Sequence, residues 1–243
     1  MAKKYQVSDS LIENIPSKKG EDSDFKKYRG DSKSTTWVVL NPNTKTINYL
    51  TQINYKNKFY AGFVREPFEL FLNSAKSLNI IVNKVEKEFK NKSLQDFPLS
   101  ENFKLQILEQ NIFDEYMINK INALVNLMMS VESFANNIIP SNFQIKRNGK
   151  LISKTEIEKH LSLKEKLKEV IPEFIELNMS SYNKLSSRIY QLNEIRNDLV
   201  HLKTTNANDK MDPFLKQYEN LVSLKLNKEI ELVDRWFKLV KES

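Results

Sequence analysis

Apolar side chains recur at alternating spacings of four and three residues along several long stretches of this chain. Because an α-helix turns by about 100° per residue, this spacing places them on one helix face. The stripes that predict packed helices are Phe71, Ala75, Leu78, Val82, Val85 and Phe89; Ile121, Val125, Met128, Ala135 and Ile139; Leu185, Ile189, Leu192, Ile195, Leu199 and Leu202; and Leu226, Ile230, Val233, Phe237 and Val240. Only 4 glycines and 7 prolines occur in 243 residues, so few positions interrupt long helices.

Two other stretches have the pattern of short β-hairpins. TTWVVL and INYLTQINY are rich in β-branched and aromatic residues and flank the turn-forming NPNTK. FQIK and KLIS flank RNG, whose Asn-Gly pair favours a tight turn. The following SKTEIEKHLSLKEKLKEVIP predicts a helix that is capped by Ser153 and Glu156 and ends at Pro172.

These patterns predict a mainly α protein with three parts. They are a polar arm or linker over residues 1–34, a short β-containing region over residues 35–62, and an antiparallel helical bundle over residues 63–243 that carries a short β-hairpin insert. No apolar run approaches the roughly 18 residues of a membrane span. The first residues also lack the apolar core of an export signal. We therefore expect a cytoplasmic protein that does not enter a membrane.

The apolar face that begins at Ile121 and ends at Ile139 also includes a carboxylate. Glu132 lies within about 20° of Ile121 on the helical projection, and so it is predicted to point into the apolar face. Burying a glutamate charge costs several kcal/mol unless the charge is paired. Glu132 therefore needs a cation from another helix.

The helix that contains RNDLVH offers such a cation. Arg196 lies about 40° from Leu192, at the flank of the apolar face, and is the natural partner of Glu132. Arg188 is also on the inward side and competes for Glu132, and the pattern does not decide between the two. Asn197 and His201 are one turn apart on the outer side, where His201 should be accessible.

Composition narrows the chemistry further. The chain has no cysteine and only two histidines, which excludes disulfides and a cysteine nucleophile and argues against a transition-metal site. One of the two, His160, lies in a charged run typical of a solvated helix. The net charge of +7 favours polyanionic partners.

The residues Arg196-Asn197-Asp198-Leu199-Val200-His201 resemble the signature of the HEPN superfamily, which is an arginine, a polar residue and a histidine after four to six intervening positions. Glu132, in SVESFANN, resembles the acidic residue that the family often directs at the motif arginine. The resemblance covers roughly residues 115–240. It implies a HEPN-like helical bundle and a metal-independent endoribonuclease without a cofactor, of the kind found in phage defence, abortive infection and toxin–antitoxin systems.

The residue types suit that chemistry. Cleavage through the RNA 2′-OH needs a proton acceptor, a proton donor and a cation at the phosphate. Histidine and arginine fit these roles, and Asn197 would orient His201 or donate to the phosphate. One chain supplies a single histidine here, so the resemblance and the chemistry together imply a homodimer whose two His201 copies share a groove.

Further residues are candidates for RNA contact. Some HEPN toxins carry a tyrosine at the position of Lys203, and their antitoxin modifies that tyrosine. Regulation by this modification is therefore not expected here. Regulation by another antitoxin or regulatory protein remains an open alternative. Lys203 would instead touch the RNA backbone, as would Lys146, Arg147 and Lys150 at the tip of the second hairpin. The structural alternative for each of them is an ordinary solvated side chain.

Two other interpretations stay open. In the first, the chain is a non-catalytic HEPN module that serves dimerisation, nucleic-acid binding or partner binding. In the second, it is a helical structural protein that matches a short motif by chance.

Overall fold

The computed structural model describes residues 5–6, 36–41, 46–56, 58–100, 103–147, 149–176, 178–200 and 213–242. The chain divides into two compact units, Met1–Glu69 and Leu70–Ser243. The protein is mainly helical with small antiparallel β-elements, as the sequence predicts.

The first unit contains an antiparallel sheet. Its strands are β1 (Tyr5–Gln6), β2 (Thr36–Asn41), β3 (Thr46–Tyr55) and β4 (Lys58–Phe63). Strand β3 pairs with each of the others. The predicted hairpin of β2 and β3 is confirmed, whereas β1 and β4 were not predicted. The rest of the polar arm lies outside the described residues.

The second unit is built from helices with two hairpins between them. The helices are α1 (Pro67–Glu88), α2 (Gln110–Ile138), α3 (Lys154–His160), α4 (Leu163–Glu165), α5 (Met179–Val200), α6 (Pro213–Ser223) and α7 (Leu226–Lys241). The hairpins are β5 (Ser93–Ser100) with β6 (Phe103–Leu108), and β7 (Gln144–Arg147) with β8 (Lys150–Ser153).

The hairpin of β5 and β6 corrects the prediction that the chain is helical throughout this stretch. Its two strands pair from Ser93 opposite Leu108 to Ser100 opposite Phe103, with irregular register at two points. Pro98 lies within β5, a position that a helix interior would not tolerate. In a two-stranded ribbon each strand has one edge without a partner strand, so a proline whose nitrogen lies on that edge removes no hydrogen bond of the ribbon.

The predicted stripe of α7 is confirmed. Its five apolar members, Leu226, Ile230, Val233, Phe237 and Val240, are all buried. Trp236 of the same helix is fully buried and packs edge-on against Phe134 of α2. The indole N–H of Trp236 donates to the Ser186 hydroxyl of α5 at 3.2 Å. Helices α2, α5 and α7 therefore share one core.

Helix α2 is rotated relative to its predicted stripe. Met128, Ala135 and Ile139 are buried, but Ile121 and Val125 are only half-buried. The fully buried centre of the face is formed instead by Leu124, Leu127, Val131 and Phe134. Since α5, α6 and α7 all contact α2, its buried face is wide, and the predicted stripe follows one edge of that face.

The segment after β8 begins as predicted and then breaks early. Ser153 and Glu156 form the expected capping box at the start of α3. The helix ends at His160, however, and a second capping box of Ser162 and Glu165 starts α4. A π-helical turn (Lys166–Val170) and a 3-10 turn (Ile171–Glu173) follow. The single helix predicted to run to Pro172 is therefore wrong.

Candidate functional site

The start of the RNDLVH motif lies on the last turns of α5, beside α2. Helix α5 buries Tyr182, Ile189 and Leu192 in the bundle, and this packing determines which way its other faces point. The Tyr182 hydroxyl donates to the backbone carbonyl of Leu167 at 2.6 Å, which joins α5 to the π-helical turn. Helices α2 and α5 pack against each other, so residues on their facing edges can meet.

Arg196 is held by a neighbour on its own helix. Its Nη2 donates to Oδ1 of the buried Asn193 at 2.8 Å. Its Nε is also buried and has no hydrogen-bond partner among the residues that the structure describes. The side chain keeps 21% of its surface exposed. The guanidinium is thus oriented at one nitrogen and retains donor capacity for another group.

Glu132 meets Arg196, but from a different place than predicted. The distance from Arg196 Nη2 to Glu132 Oε2 is 3.9 Å, a loose ion pair. The Glu132 side chain is 44% exposed, so it lies at the edge of the α2–α5 contact. The prediction that Glu132 points into the middle of the apolar face is wrong, because that prediction took the edge of the buried face of α2 for its centre.

The competition between Arg188 and Arg196 for Glu132 is settled by the geometry. Arg188 binds Glu229 in the first turn of α7 through two nitrogens, with Nε 3.2 Å from Oε2 and Nη2 on Oε1. The hydrogen bonds to Glu229 raise the pKa of Arg188. Glu229 is buried, so its pair with Arg188 is part of the packed bundle. Arg196 is therefore the arginine that contacts Glu132.

A buried lysine that was not predicted lies in the electrostatic neighbourhood of Glu132. Lys166, the first residue of the π-helical turn, is fully buried, and its Nζ donates to the backbone carbonyl of Glu158 at 3.1 Å. Burial lowers the pKa of Lys166, and the negative charges of Glu132, Glu158 and Glu165 oppose this. Glu132 therefore acts electrostatically on Lys166 as well as on Arg196. Lys166 stands in a lysine-rich run, so nothing in the sequence marks it as buried.

The remainder of the motif is partly described. Asn197 is half-buried and Asp198 exposed, and Val200, the last residue of α5, is exposed to 51%. His201 and Lys203 lie outside the described residues. The accessible position predicted for His201 therefore stays a prediction. His160 is exposed at the end of α3, as expected of a solvated residue.

The three basic residues at the tip of the β7–β8 hairpin differ in their surroundings. Gly149 adopts φ +79° in the turn, a conformation that favours glycine, as the Asn-Gly pair predicts. Lys146 and Lys150 are exposed to solvent. Arg147 instead pairs with Glu165 of α4 and fastens the hairpin to the second capping box. Arg147 is thus already engaged, whereas Lys146 and Lys150 project outward.

Three broader findings complete this description. Within the described ranges, no three carboxylate or imidazole side chains come together in a way that could hold a metal ion. In the same ranges, every helix is too short or too polar to cross a bilayer. No protein-family model, no curated protein and no solved structure matches the chain.

Proposed function

We propose that this protein is a metal-independent endoribonuclease of the HEPN type. In this proposal His201 moves the protons, Arg196 stabilises the charge of the phosphate, and Asn197 and Glu132 assist. Four residues, all on α5, separate Arg196 from His201 along the chain. The motif begins beside Glu132 of α2, the acidic residue that the family resemblance implies.

The observation that carries the proposal is the state of Arg196. The guanidinium is tethered at Nη2 and its side chain is 21% exposed, so it is preorganised to receive another acceptor from solvent. A phosphate oxygen fits this need, because arginine binds phosphate through several parallel N–H donors. The loose 3.9 Å contact with Glu132 orients the arginine without consuming its donors.

The proposed reaction is a transesterification followed by product release. The 2′-OH loses its proton to one imidazole, and its oxygen forms a bond to phosphorus while the bond from phosphorus to the 5′-oxygen breaks. A second, protonated imidazole donates to that 5′-oxygen. The products carry a 2′,3′-cyclic phosphate and a 5′-OH. Both transfers suit histidine, whose ordinary pKa lies near neutral pH.

Two imidazoles are needed in this scheme, and each chain supplies one His201. We therefore propose that two copies of the chain pair about a two-fold axis and place both histidines in one groove. A symmetric pair presents the same surface from both subunits, so the contact must include the end of α5 that leads to His201. RNA phosphates flanking the groove would meet exposed lysines, for which Lys146, Lys150 and Lys203 are candidates.

The chain contains its own matched control for a test of this proposal. His160 is the other histidine, and it is exposed on α3. Wild type, His201→Ala and His160→Ala should be incubated with total RNA and transfer RNA in excess EDTA. Cleavage by wild type and His160→Ala but not by His201→Ala is expected. Cleavage by none of the three, or equal cleavage by all, would contradict the proposal.

The cellular role proposed for this activity is growth arrest in phage defence or in a toxin–antitoxin pair. Expression of the wild type should then slow growth, and expression of His201→Ala should not. A protein that is harmless in both forms and cleaves no RNA is better explained as a non-catalytic binding module.

A further inference from the structure

A cleft of about 430 Å³ opens between α1, the middle of α2 and the junction of α6 with α7. Three lysines, Lys120, Lys225 and Lys228, line it together with one carboxylate, that of Glu86. Its formal charge is therefore positive. None of its lining residues belongs to the cluster of Arg196, Glu132 and Lys166 described above.

Lys120 is the unusual member of this lining. It is 3% exposed, and its ammonium donates to the Tyr116 hydroxyl at 2.6 Å and to the backbone carbonyl of Val222 at 2.8 Å. Burial, and after it the negative charge of Glu86 and its hydrogen bond with the phenol, raise the pKa of Tyr116 to about 12, so the phenol remains neutral at physiological pH. Through hydrogen bonds, Glu86 reaches Lys120 by way of the Tyr116 hydroxyl. Both hydrogen-bond acceptors of Lys120 are therefore uncharged oxygens.

A buried ammonium is costly unless an anion compensates its charge. Among the described residues, no carboxylate lies within 4.0 Å of Lys120 Nζ, and Glu86 acts on it only at longer range. Burial lowers the pKa of Lys120, and the charge of Glu86 partly offsets this. The ring of Tyr116, whose centroid lies 4.9 Å from Lys120 Nζ, adds a further partial compensation. An anion in the cleft would supply the direct charge partner that Lys120 lacks among the described residues.

The rest of the lining suits an oxyanion. Asn79, Asn83 and Asn227 carry amide groups into the cleft, and the Asn79 and Asn83 amides donate to Asn227 Oδ1. Helix α7 starts at the cleft after Lys225, whose side chain does not cap it. The N–H groups of Lys228 and Glu229 donate to the Lys225 carbonyl, which leaves those of the first two residues of the helix for a ligand. Amide donors, two rim lysines and backbone N–H groups together match the oxygens of a phosphoryl group.

We propose that this cleft binds a phosphoryl group, with Lys120 at its base and Lys225 and Lys228 at its rim. A cavity of this volume is large enough for a small phosphorylated molecule. The same phosphoryl chemistry also occurs along an RNA backbone, so the source of the group is a question for the experiment. The proposal stands on residues separate from the proposed ribonuclease site and does not require that site to be active.

Binding should be measured by calorimetry on the full chain carrying His201→Ala, in EDTA and about 0.15 M salt, where exposed charges are well screened. The probes are inorganic pyrophosphate, adenosine 5′-monophosphate and a short single-stranded RNA. Binding of either small probe with a dissociation constant below about 1 mM is expected if the ligand is a small molecule. Binding of the RNA alone would assign the phosphoryl group to a polymer.

Variants distinguish this cleft from general attraction to a basic protein. Lys228→Gln, at the rim, should weaken binding about tenfold, as expected for the loss of one charged contact. Lys120→Met should abolish it, and thermal unfolding would verify that this variant is folded. Lys238→Gln, on the same helix but 73% exposed, is the matched control and should bind like the parent protein. Absence of binding by every probe, or equal affinity in Lys228→Gln and the parent, would overturn the proposal.

Discussion

The two arginine–glutamate pairs of α5 differ in what surrounds them, and this difference decides their roles. Glu229 is buried and is bound by two nitrogens of Arg188, whereas Glu132 is half-exposed and 3.9 Å from Arg196. An exposed pair contributes little to stability because water screens it. Removing one partner of a buried pair that is joined by two hydrogen bonds costs more, because the other group loses its partner. We therefore assign Arg188 a structural role, and the proposed function gives the contact with the phosphate to Arg196.

Stability measurements on the two glutamates should reflect this difference. Glu132→Ala is expected to change the free energy of unfolding by less than about 1 kcal/mol. Glu229→Ala, which leaves Arg188 without its carboxylate, should cost about 1–3 kcal/mol. Urea denaturation followed by circular dichroism measures both. A larger loss for Glu132→Ala than for Glu229→Ala would contradict the assignment.

At the level of single residues, sequence reasoning was partly successful. The contact of Glu132 with Arg196 was one of two pairings that the helical positions left open, and it forms at the edge of the apolar face and not in its middle. The burial of Lys166 was not anticipated, because lysine is ordinarily exposed and only the packing of the π-helical turn removes this one from water. The same is true of Lys120, whose hydrogen-bond acceptor at Val222 lies 102 residues further along the chain.

The buried face of α7 was predicted well, and that of the central helix α2 was not. Helix α7 contacts the bundle through a narrow stripe, so the spacing of its apolar residues identifies the buried face. Helix α2 is surrounded by three other helices, and apolar residues occur around most of its circumference. Several stripes then fit the sequence equally well, and only the tertiary contacts select one. The β5–β6 hairpin was missed for a related reason, because its short apolar runs do not distinguish strand from helix.

The observed phase of α2 predicts which truncations are severe. Leu124→Ala removes a fully buried side chain from the centre of the core and should cost about 2–5 kcal/mol in unfolding free energy. Ile118→Ala on the same helix alters a side chain that is 57% exposed, and it should cost less than about 1 kcal/mol. Thermal or urea unfolding of the pair provides the comparison. Equal losses of unfolding free energy would mean that the buried face of α2 is not the one described above.

The second capping box predicts an acid-sensitive contribution to stability. The hydrogen bond from Arg147 and those from Ser162 lower the pKa of Glu165 from 4.5 to about 2. A carboxylate with a depressed pKa in the folded state stabilises the fold above its unfolded pKa, and this contribution disappears as the pH falls through the folded pKa. Wild type should therefore exceed Glu165→Gln in stability at pH 7, by about 1 kcal/mol after screening by solvent.

That difference between wild type and Glu165→Gln should shrink as the pH is lowered from about 4.5 towards 2. Urea titrations at several pH values measure it. A difference that is independent of pH would show that Glu165 acts through its shape and neutral hydrogen bonds and not through its charge.

On the scale of the whole molecule, the account predicts that activity belongs to a pair of chains. If each groove needs two intact His201 residues, wild-type and His201→Ala chains that pair at random leave about one quarter of the dimers competent. Co-expressed equal amounts should therefore retain about a quarter of the cleavage activity of the same total wild-type protein. Retention of one half would mean that each chain works alone.

The most direct test of the central claim concerns the 2′-OH. A defined RNA that the protein cleaves in EDTA should be remade with a single 2′-deoxy nucleotide on the 5′ side of the cleaved bond. The account predicts that the unmodified RNA yields a 2′,3′-cyclic phosphate and a 5′-OH, and that the deoxy position is not cut. Cleavage at the deoxy position, or fragments ending in 3′-OH and 5′-phosphate, would contradict the mechanism assigned to Arg196 and His201.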